Sequence, residues 1–207
     1  MQILLATAVL CILAAAPAAR ADEERGAELF ELCVQCHGET GAGSRLALAP
    51  AIAGLDAWYV ELQLGNFRHG FRGMNPDDVG GLRMYPMSLA IRSEDDVKLL
   101  AAHVAGLPPA NPAPQVEGGD PERGKQLYLP CAACHGPDGK GVQAVGGPNL
   151  IVSSDWYLLE SLEKYKAGIR GTDPGDTAGM RMRPMSLILP DEQAMRDVIA
   201  YIMTLGR

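Results

Sequence analysis

Two five-residue segments of the chain each place two cysteines three positions apart, with a histidine directly after the second cysteine. Side chains three residues apart lie on one side of a helical turn, so both thiols can reach one planar group. Such a pair can form thioethers with the two vinyl groups of one porphyrin, and the adjacent histidine then lies under the iron as its ligand. The candidate attachment residues are Cys33, Cys36 and His37 in the first segment and Cys131, Cys134 and His135 in the second.

The two motifs belong to an internal duplication with an offset of 98 residues and no gap. The same offset pairs Trp58 with Trp156 and Pro50 with Pro148, so both copies are expected to have the same fold. Between the copies lies a proline-rich segment, which disfavours helix and favours an extended spacer. We therefore expect a first domain at 22–106, a linker at 107–119 and a second domain at 120–207.

The same cysteine spacing also serves zinc sites and thiol–disulfide centres, so these remain alternatives. Zinc would need two further ligands at each site, whereas the only histidines outside the motifs are His69 and His103. The second copy has Ala167 and Tyr201 at those positions. A ligand that one copy lacks cannot define a site common to both, which favours the haem interpretation.

The periodicity of apolar residues predicts an all-α fold, with no run that alternates as a strand would. Ser93 is expected to cap the last helix of the first copy, because acidic residues follow it in the first turn. Asp191 is expected to open the equivalent helix of the second copy. The remaining segments are rich in glycine and proline and are expected to be loops. The predicted helices cover 24–36, 57–64 and 93–105 in the first copy, and 156–166, 191–206 and a segment beginning at 121 in the second.

The first residues of the chain indicate export. Residues 2–19 are almost continuously apolar and are followed by Ala21 in a small-x-small pattern typical of signal-peptidase cleavage. We therefore expect a signal peptide at 1–21, a mature chain from Asp22 and a periplasmic protein that can contact the membrane peripherally. No basic residue follows Met1 closely, so an uncleaved amino-terminal anchor is the alternative.

The charge of the chain bears on its partners. The formal net charge is −7, which argues against nucleic acid as a partner. Residues 22–117 contain 14 acidic and 7 basic side chains, whereas residues 118–207 contain 11 and 10. A basic redox partner would therefore be attracted to the first half of the chain.

The chain resembles the tandem class I dihaem cytochromes c, including cytochrome c4 and related c553-like proteins. Besides the two haem motifs, the resemblance rests on two Gly-x-Arg-Gly segments, at 70–73 and 168–171, and on two Met-x-Pro-Met-Ser segments, at 84–88 and 182–186. It implies two small helical domains, each wrapped around one covalently bound haem c.

The resemblance also implies a methionine as the second axial ligand of each iron, in the loop before the final helix. Distance to that helix favours Met84 and Met182, with Met87 and Met185 as the alternatives. Met74 and Met180 have no methionine counterpart and are expected to be packing or surface residues.

The residues around each haem follow from the same resemblance. The carbonyls of Pro50 and Pro148 would accept a proton from Nδ1 of the two histidines. Arg72 and Arg170 would pair with haem propionates, or would be solvated arginines at helix ends. Trp58, Tyr59, Trp156 and Tyr157 would pack near the porphyrins.

An iron with two protein ligands has no open position for a substrate, so the expected function is electron transfer rather than catalysis. The resemblance implies a quinol-oxidising complex or a dehydrogenase as the donor and a terminal oxidase as the acceptor. Two alternatives remain: a dihaem enzyme of the peroxidase or thiosulfate-oxidising type with one open iron, and a cytochrome subunit of a larger oxidoreductase complex.

Overall fold

The computed structural model describes residues 3–206, and side chains from residue 19 onward. Within this range the chain is helical without a strand, and its only β pairs are the bridges Ser44 to Ala49 and Val142 to Gly147. The all-α prediction is therefore confirmed. The helices are α1 (Ile3–His37), α2 (Ala57–Arg68), α3 (Val79–Ala90), α4 (Glu94–Gly106), α5 (Pro121–Tyr128), α6 (Ala132–His135), α7 (Asp155–Lys166), α8 (Thr177–Leu187) and α9 (Glu192–Leu205), with a short 3₁₀ turn at Gln143–Val145.

The two copies differ at their first helix. In the first copy α1 runs unbroken to His37, whereas the second copy has two shorter helices, α5 and α6. Pro130 lies between them, at the position of Leu32 in the first copy. Proline has no N–H to donate and its ring crowds the carbonyl four residues earlier, so the helix ends before it.

The predicted leader lies largely outside the residues whose side chains are described, and its cleavage stays a prediction. The backbone from Ile3 onward already belongs to α1. Among the described residues, no helix combines the length and the apolar character that a membrane span requires.

The caps predicted for the final helices are present. The Ser93 side chain accepts from the backbone N–H of Asp96, and the Asp191 side chain accepts from that of Ala194. Each capping oxygen satisfies an N–H that the first turn leaves without a partner.

The prediction of loops before the final helices was wrong, because α3 and α8 occupy these segments. Two aspartates account for them: Asp78 accepts from the N–H of Gly81, and Asp176 accepts from that of Gly179, both at 2.9 Å. Neighbouring glycines and an internal proline, Pro86 or Pro184, hid the helical pattern in the sequence. The candidate methionines therefore lie on helices.

Each copy has a core in which the first helix packs against the last. Gly26 on α1 lies against α4, where an added Cβ would come 2.7 Å from the carbonyl oxygen of Leu99. Gly124 on α5 lies even closer to the carbonyl of Asp197 on α9. The absence of a side chain at these two positions lets the helices approach, and the contact holds the cysteine-bearing segment against the core. Core residues include Leu29, Phe30 and Leu100 in the first copy and Tyr128, Met195 and Ile199 in the second.

Candidate functional site

A largely apolar cavity in the first domain holds the first cysteine motif. Cys33, Cys36 and His37 line it from the carboxyl end of α1, and Met84 and Met87 line it from α3. Apolar side chains from α2 and α4 complete the lining, among them Val60, Leu64, Phe67, Leu100 and Val104. The cavity thus brings together the candidate attachment residues and both candidate axial methionines.

Each motif histidine is oriented by a proline carbonyl. Nδ1 of His37 lies 2.8 Å from the carbonyl oxygen of Pro50, and Nδ1 of His135 lies 2.9 Å from that of Pro148. Because a carbonyl only accepts, Nδ1 must carry the proton and donate it, and Nε2 keeps its lone pair. Burial lowers the pKa of both imidazoles, against the opposite effect of these hydrogen bonds, so both rings are neutral. A neutral ring with a free Nε2 is the form that ligates a metal.

The cysteines do not have the properties of a redox dithiol. All four are unbridged. Burial raises the pKa of the Cys33 and Cys131 thiols to about 11, with a smaller contribution in the same direction from the neighbouring Cys36 or Cys134. A thiol–disulfide centre needs a lowered thiol pKa, because the thiolate is the reactive form. The thiol–disulfide alternative is therefore disfavoured.

The zinc alternative finds no further ligands. His69 is exposed, with its ring stacked 5.3 Å from that of Phe71, and His103 packs 5.1 Å from the ring of Phe30. In the part of the chain that the structure describes, no three His, Cys, Asp or Glu side chains form a cluster able to hold a metal ion. Both histidines are surface or packing residues, as the duplication predicted.

Arg72 and Arg170 are buried, which excludes the interpretation of solvated helix-end arginines. Their exposed fractions are 7% and 4%. Each guanidinium lies over an aromatic ring, that of Phe67 at 4.5 Å or that of Tyr165 at 4.4 Å. Nε of both arginines is buried without a hydrogen-bond partner among the described residues. An unpaired buried donor of this kind needs an acceptor, and a carboxylate suits a guanidinium best.

Arg72 reaches across the contact between the domains, and Arg170 acts on the same tyrosine from within the second domain. Arg72 donates to Gln63 at 2.5 Å and, across the contact, to the Tyr157 hydroxyl at 2.8 Å. Burial alone would raise the pKa of this hydroxyl, but Arg72 and Arg170 together lower it below its usual value. The positive charges of Arg72 and Arg170 are thus felt at this hydroxyl, and anionic groups such as haem propionates would suit both guanidinium groups.

The first cavity is completed by the second domain. Tyr157, Leu158 and Lys164 of α7 line it together with Pro148. Tyr59 lines the cavity from α2, so the tyrosines of both Trp-Tyr pairs lie near the site. Trp156 is 3% exposed and belongs to the buried core. The arrangement could not be read from the sequence, because no pattern within one copy indicates a contact with the other.

Three of the four candidate axial methionines are less exposed than the two that lack counterparts. Met84 and Met182 are half-buried, and Met182 packs against the core of the second domain. Met87 is 40% exposed and Met185 is half-buried. Met74 and Met180, which were expected to be packing or surface residues, are 56% and 47% exposed and lie at the surface.

These features fit a haem in the first domain, and the histidine–proline contact and the buried arginine recur in the second. The apolar cavity suits a porphyrin, the free Nε2 suits iron, and the unpaired Nε atoms suit propionates.

Comparison with known proteins agrees with this fit. The sequence matches the cytochrome c family twice, over residues 23–108 and 121–206. The thiosulfate dehydrogenase electron acceptor of Stutzerimonas stutzeri strain A1501 is 32% identical over 185 residues, which cover 84% of this chain and 79% of the relative.

Two solved structures are similar to the chain along most of its length. Thiosulfate dehydrogenase from Marichromatium purpuratum, in its as-isolated form, has a TM-score of 0.70 at 27% identity. The match covers 88% of this chain but only 40% of that one. Reduced recombinant cytochrome c4 from Pseudomonas stutzeri has a TM-score of 0.67 at 28% identity, with 87% of this chain and 96% of that chain covered.

Proposed function

Because the chain belongs to the cytochrome c family, we propose that it is a two-centre electron carrier, which takes electrons from a dehydrogenase and passes them to an oxidase. It carries two covalently bound haem c groups, one in each domain, and their irons exchange single electrons. The observation that supports the proposal most strongly is the duplication of the whole site. Both copies keep the two cysteines, the histidine, the proline carbonyl, the arginine and the pair of methionines.

The proposed role of each residue follows from its position. Cys33, Cys36, Cys131 and Cys134 attach the haems, and Nε2 of His37 and His135 ligates the irons. The carbonyls of Pro50 and Pro148 hold these imidazoles in one orientation. Met84 and Met182 provide the second axial ligands, and Arg72 and Arg170 bind propionates.

Electron transfer is favoured over catalysis because both copies offer the same closed set of ligands. An enzyme of this kind needs one iron with an open or labile position, and specialisation of one copy would alter its ligands. Neither copy lacks a histidine or a methionine pair at the aligned positions. The first-domain site borders the contact between the domains, which supports transfer of electrons within the molecule.

The proposed donor is a dehydrogenase that acts on a reduced sulfur compound. A relative that is 32% identical is a thiosulfate dehydrogenase electron acceptor, and the match covers most of both chains. The excess of acidic residues in the first half, 14 against 7, would attract a basic donor surface there. A quinol-oxidising complex is the other donor, and a terminal oxidase is the proposed acceptor.

A second candidate function is that of an electron-transfer part within a larger oxidoreductase. The observation that favours it is the match to 40% of the longer thiosulfate dehydrogenase chain from Marichromatium purpuratum. In that case the same chemistry would operate in a permanent complex.

Stopped-flow reduction of the purified holoprotein tests the proposal. Mixed with a thiosulfate dehydrogenase and thiosulfate, both haems should be reduced, and a terminal oxidase should then reoxidise them. Thiosulfate alone should reduce neither haem. Consumption of thiosulfate or peroxide by the chain without a partner would contradict the carrier role, and stable co-purification with a dehydrogenase would favour the second candidate.

We propose in addition that the protein works in the periplasm after removal of residues 1–21. The intact mass of the holoprotein tests this part. A chain beginning at Asp22 supports it, whereas a chain that keeps Met1 and partitions into the membrane fraction supports the uncleaved anchor.

A further inference from the structure

Two polar contacts join the domains, and the 98-residue offset relates one to the other. Asn66 on α2 donates to the Asp176 carboxylate at 2.9 Å. At the aligned positions, Lys164 on α7 lies 3.0 Å from the Asp78 carboxylate. Each contact therefore joins the second helix of one copy to the aspartate that caps the methionine-bearing helix of the other.

The two contacts differ in charge. Lys164 contributes a full positive charge, whereas Asn66 contributes only an amide. Lys164 also pairs with Glu160 at 3.1 Å, and the position aligned with Glu160 is Leu62. The Glu160 side chain is 35% exposed and that of Lys164 is 17% exposed, so water screens the carboxylate more strongly than the ammonium.

Lys164 acts on the cavity of the opposite domain. It lines the first-domain cavity together with Cys33, His37 and Met84, although it belongs to the second domain. Burial of Asp78 would raise the pKa of its carboxyl, but the Gly81 N–H and Lys164 lower it below its usual value, so the carboxylate is ionised and holds the ammonium in place.

We propose that Lys164 raises the reduction potential of the first-domain haem, and that Asn66 gives the second-domain haem no equivalent contribution. A nearby positive charge favours the reduced iron, which carries one positive charge fewer than the oxidised iron. Lys164 would thus favour the first-domain haem as the location of a single electron in the half-reduced protein. The inference deepens the proposed function and rests on the haem sites that the function uses.

The chain itself supplies the substitution that separates charge from structure. Asparagine at position 66 already reaches the aligned aspartate, so Lys164→Asn should keep a hydrogen bond to Asp78 while removing the charge. The mirror variant, Asn66→Lys, adds the same charge beside Asp176, the aspartate aligned with Asp78. Lys164→Arg keeps the charge, and Lys140→Asn removes a charge from a side chain that is 66% exposed.

Spectroelectrochemical titration of the holoprotein at equilibrium resolves the potentials of the two haems. Lys164→Asn should lower the reduction potential of one haem, with a roughly threefold decrease in its reduction equilibrium constant. At 59 mV per tenfold change for one electron, this decrease corresponds to about 28 mV. Asn66→Lys should raise the other component. Lys164→Arg and Lys140→Asn should leave both in place.

Three results would overturn the inference. The two reduction potentials could stay unchanged in Lys164→Asn, or both could fall equally. Alternatively, Lys164→Arg could shift a potential as far as Lys164→Asn does. None of these results bears on the carrier role, which fails instead if the unmodified protein has a high-spin haem that binds carbon monoxide readily.

Discussion

Met84 and Met87 lie three residues apart on α3, and both side chains line the cavity that contains His37. Met182 and Met185 have the same spacing on α8. One methionine of each pair is the proposed axial ligand. Because residues three apart lie on the same side of a helix, position along the sequence alone left two candidates in each copy.

Replacement of the proposed ligands should change the spin state of one haem at a time. Met84→Ala and Met182→Ala should each convert one haem to high spin and remove about half of the Met-to-iron charge-transfer absorption, because thioether sulfur keeps the iron low-spin. Absorption spectra of the oxidised proteins measure this effect. Met74→Ala and Met180→Ala serve as controls and should leave the spectra unchanged. Normal spectra for the first two variants would transfer the assignment to Met87 and Met185.

The close approach of α5 and α9 should not tolerate a side chain. In Gly124→Ala the new Cβ would overlap the carbonyl of Asp197, so the variant should lose about 1–3 kcal/mol of the free energy of unfolding. Gly65 on α2 has no atom within 4 Å of an added Cβ, and Gly65→Ala should gain about 0.5–1 kcal/mol from helix propensity. Denaturant unfolding followed by circular dichroism compares them. Equal effects of the two substitutions would contradict the packing described for Gly124.

Stability should fall in acid because of Asp78. The pKa of its carboxyl in the folded protein is lower than the reference value of 3.8, so its contribution is complete above that pH and is lost as the pH falls towards the folded pKa. Asp78→Asn keeps an N-cap but loses the charge, and should cost about 1–2 kcal/mol at pH 7. Its stability should also change less than that of the unmodified protein between pH 5 and about pH 3.

Unfolding of the holoprotein at several pH values tests the role of Asp78, with the exposed neighbour Asp77 as the control. Asp77→Asn should retain both the stability at pH 7 and the acid dependence. If the two variants behave alike, Asp78 does not contribute through its charge.

The sequence predicted the residues that act within one copy and missed those that act between copies. The cysteine motifs and the caps at Ser93 and Asp191 depend on short spacings, which a sequence displays directly, whereas the histidine–proline hydrogen bonds were implied by the family resemblance. The Arg72 to Tyr157 bond joins residues 85 positions apart in different copies, and no periodicity reports it.

The methionine-bearing helices show a second limit. Glycines at 80, 81 and 179, with prolines inside the helices, gave α3 and α8 a composition typical of loops. The caps from Asp78 and Asp176 and the contacts with the opposite domain stabilise these helices instead. Tertiary interactions thus override local propensity at the segments that carry the proposed ligands.

Coulometric reduction of the purified holoprotein, with its absorption spectrum and intact mass recorded on the same sample, shows whether the chain carries two haems. The dihaem assignment requires a mass equal to the chain plus two haems, uptake of two electrons per chain and low-spin spectra in both redox states. A colourless protein with the mass of the bare chain, or a chain that takes up one electron or fewer, would contradict it.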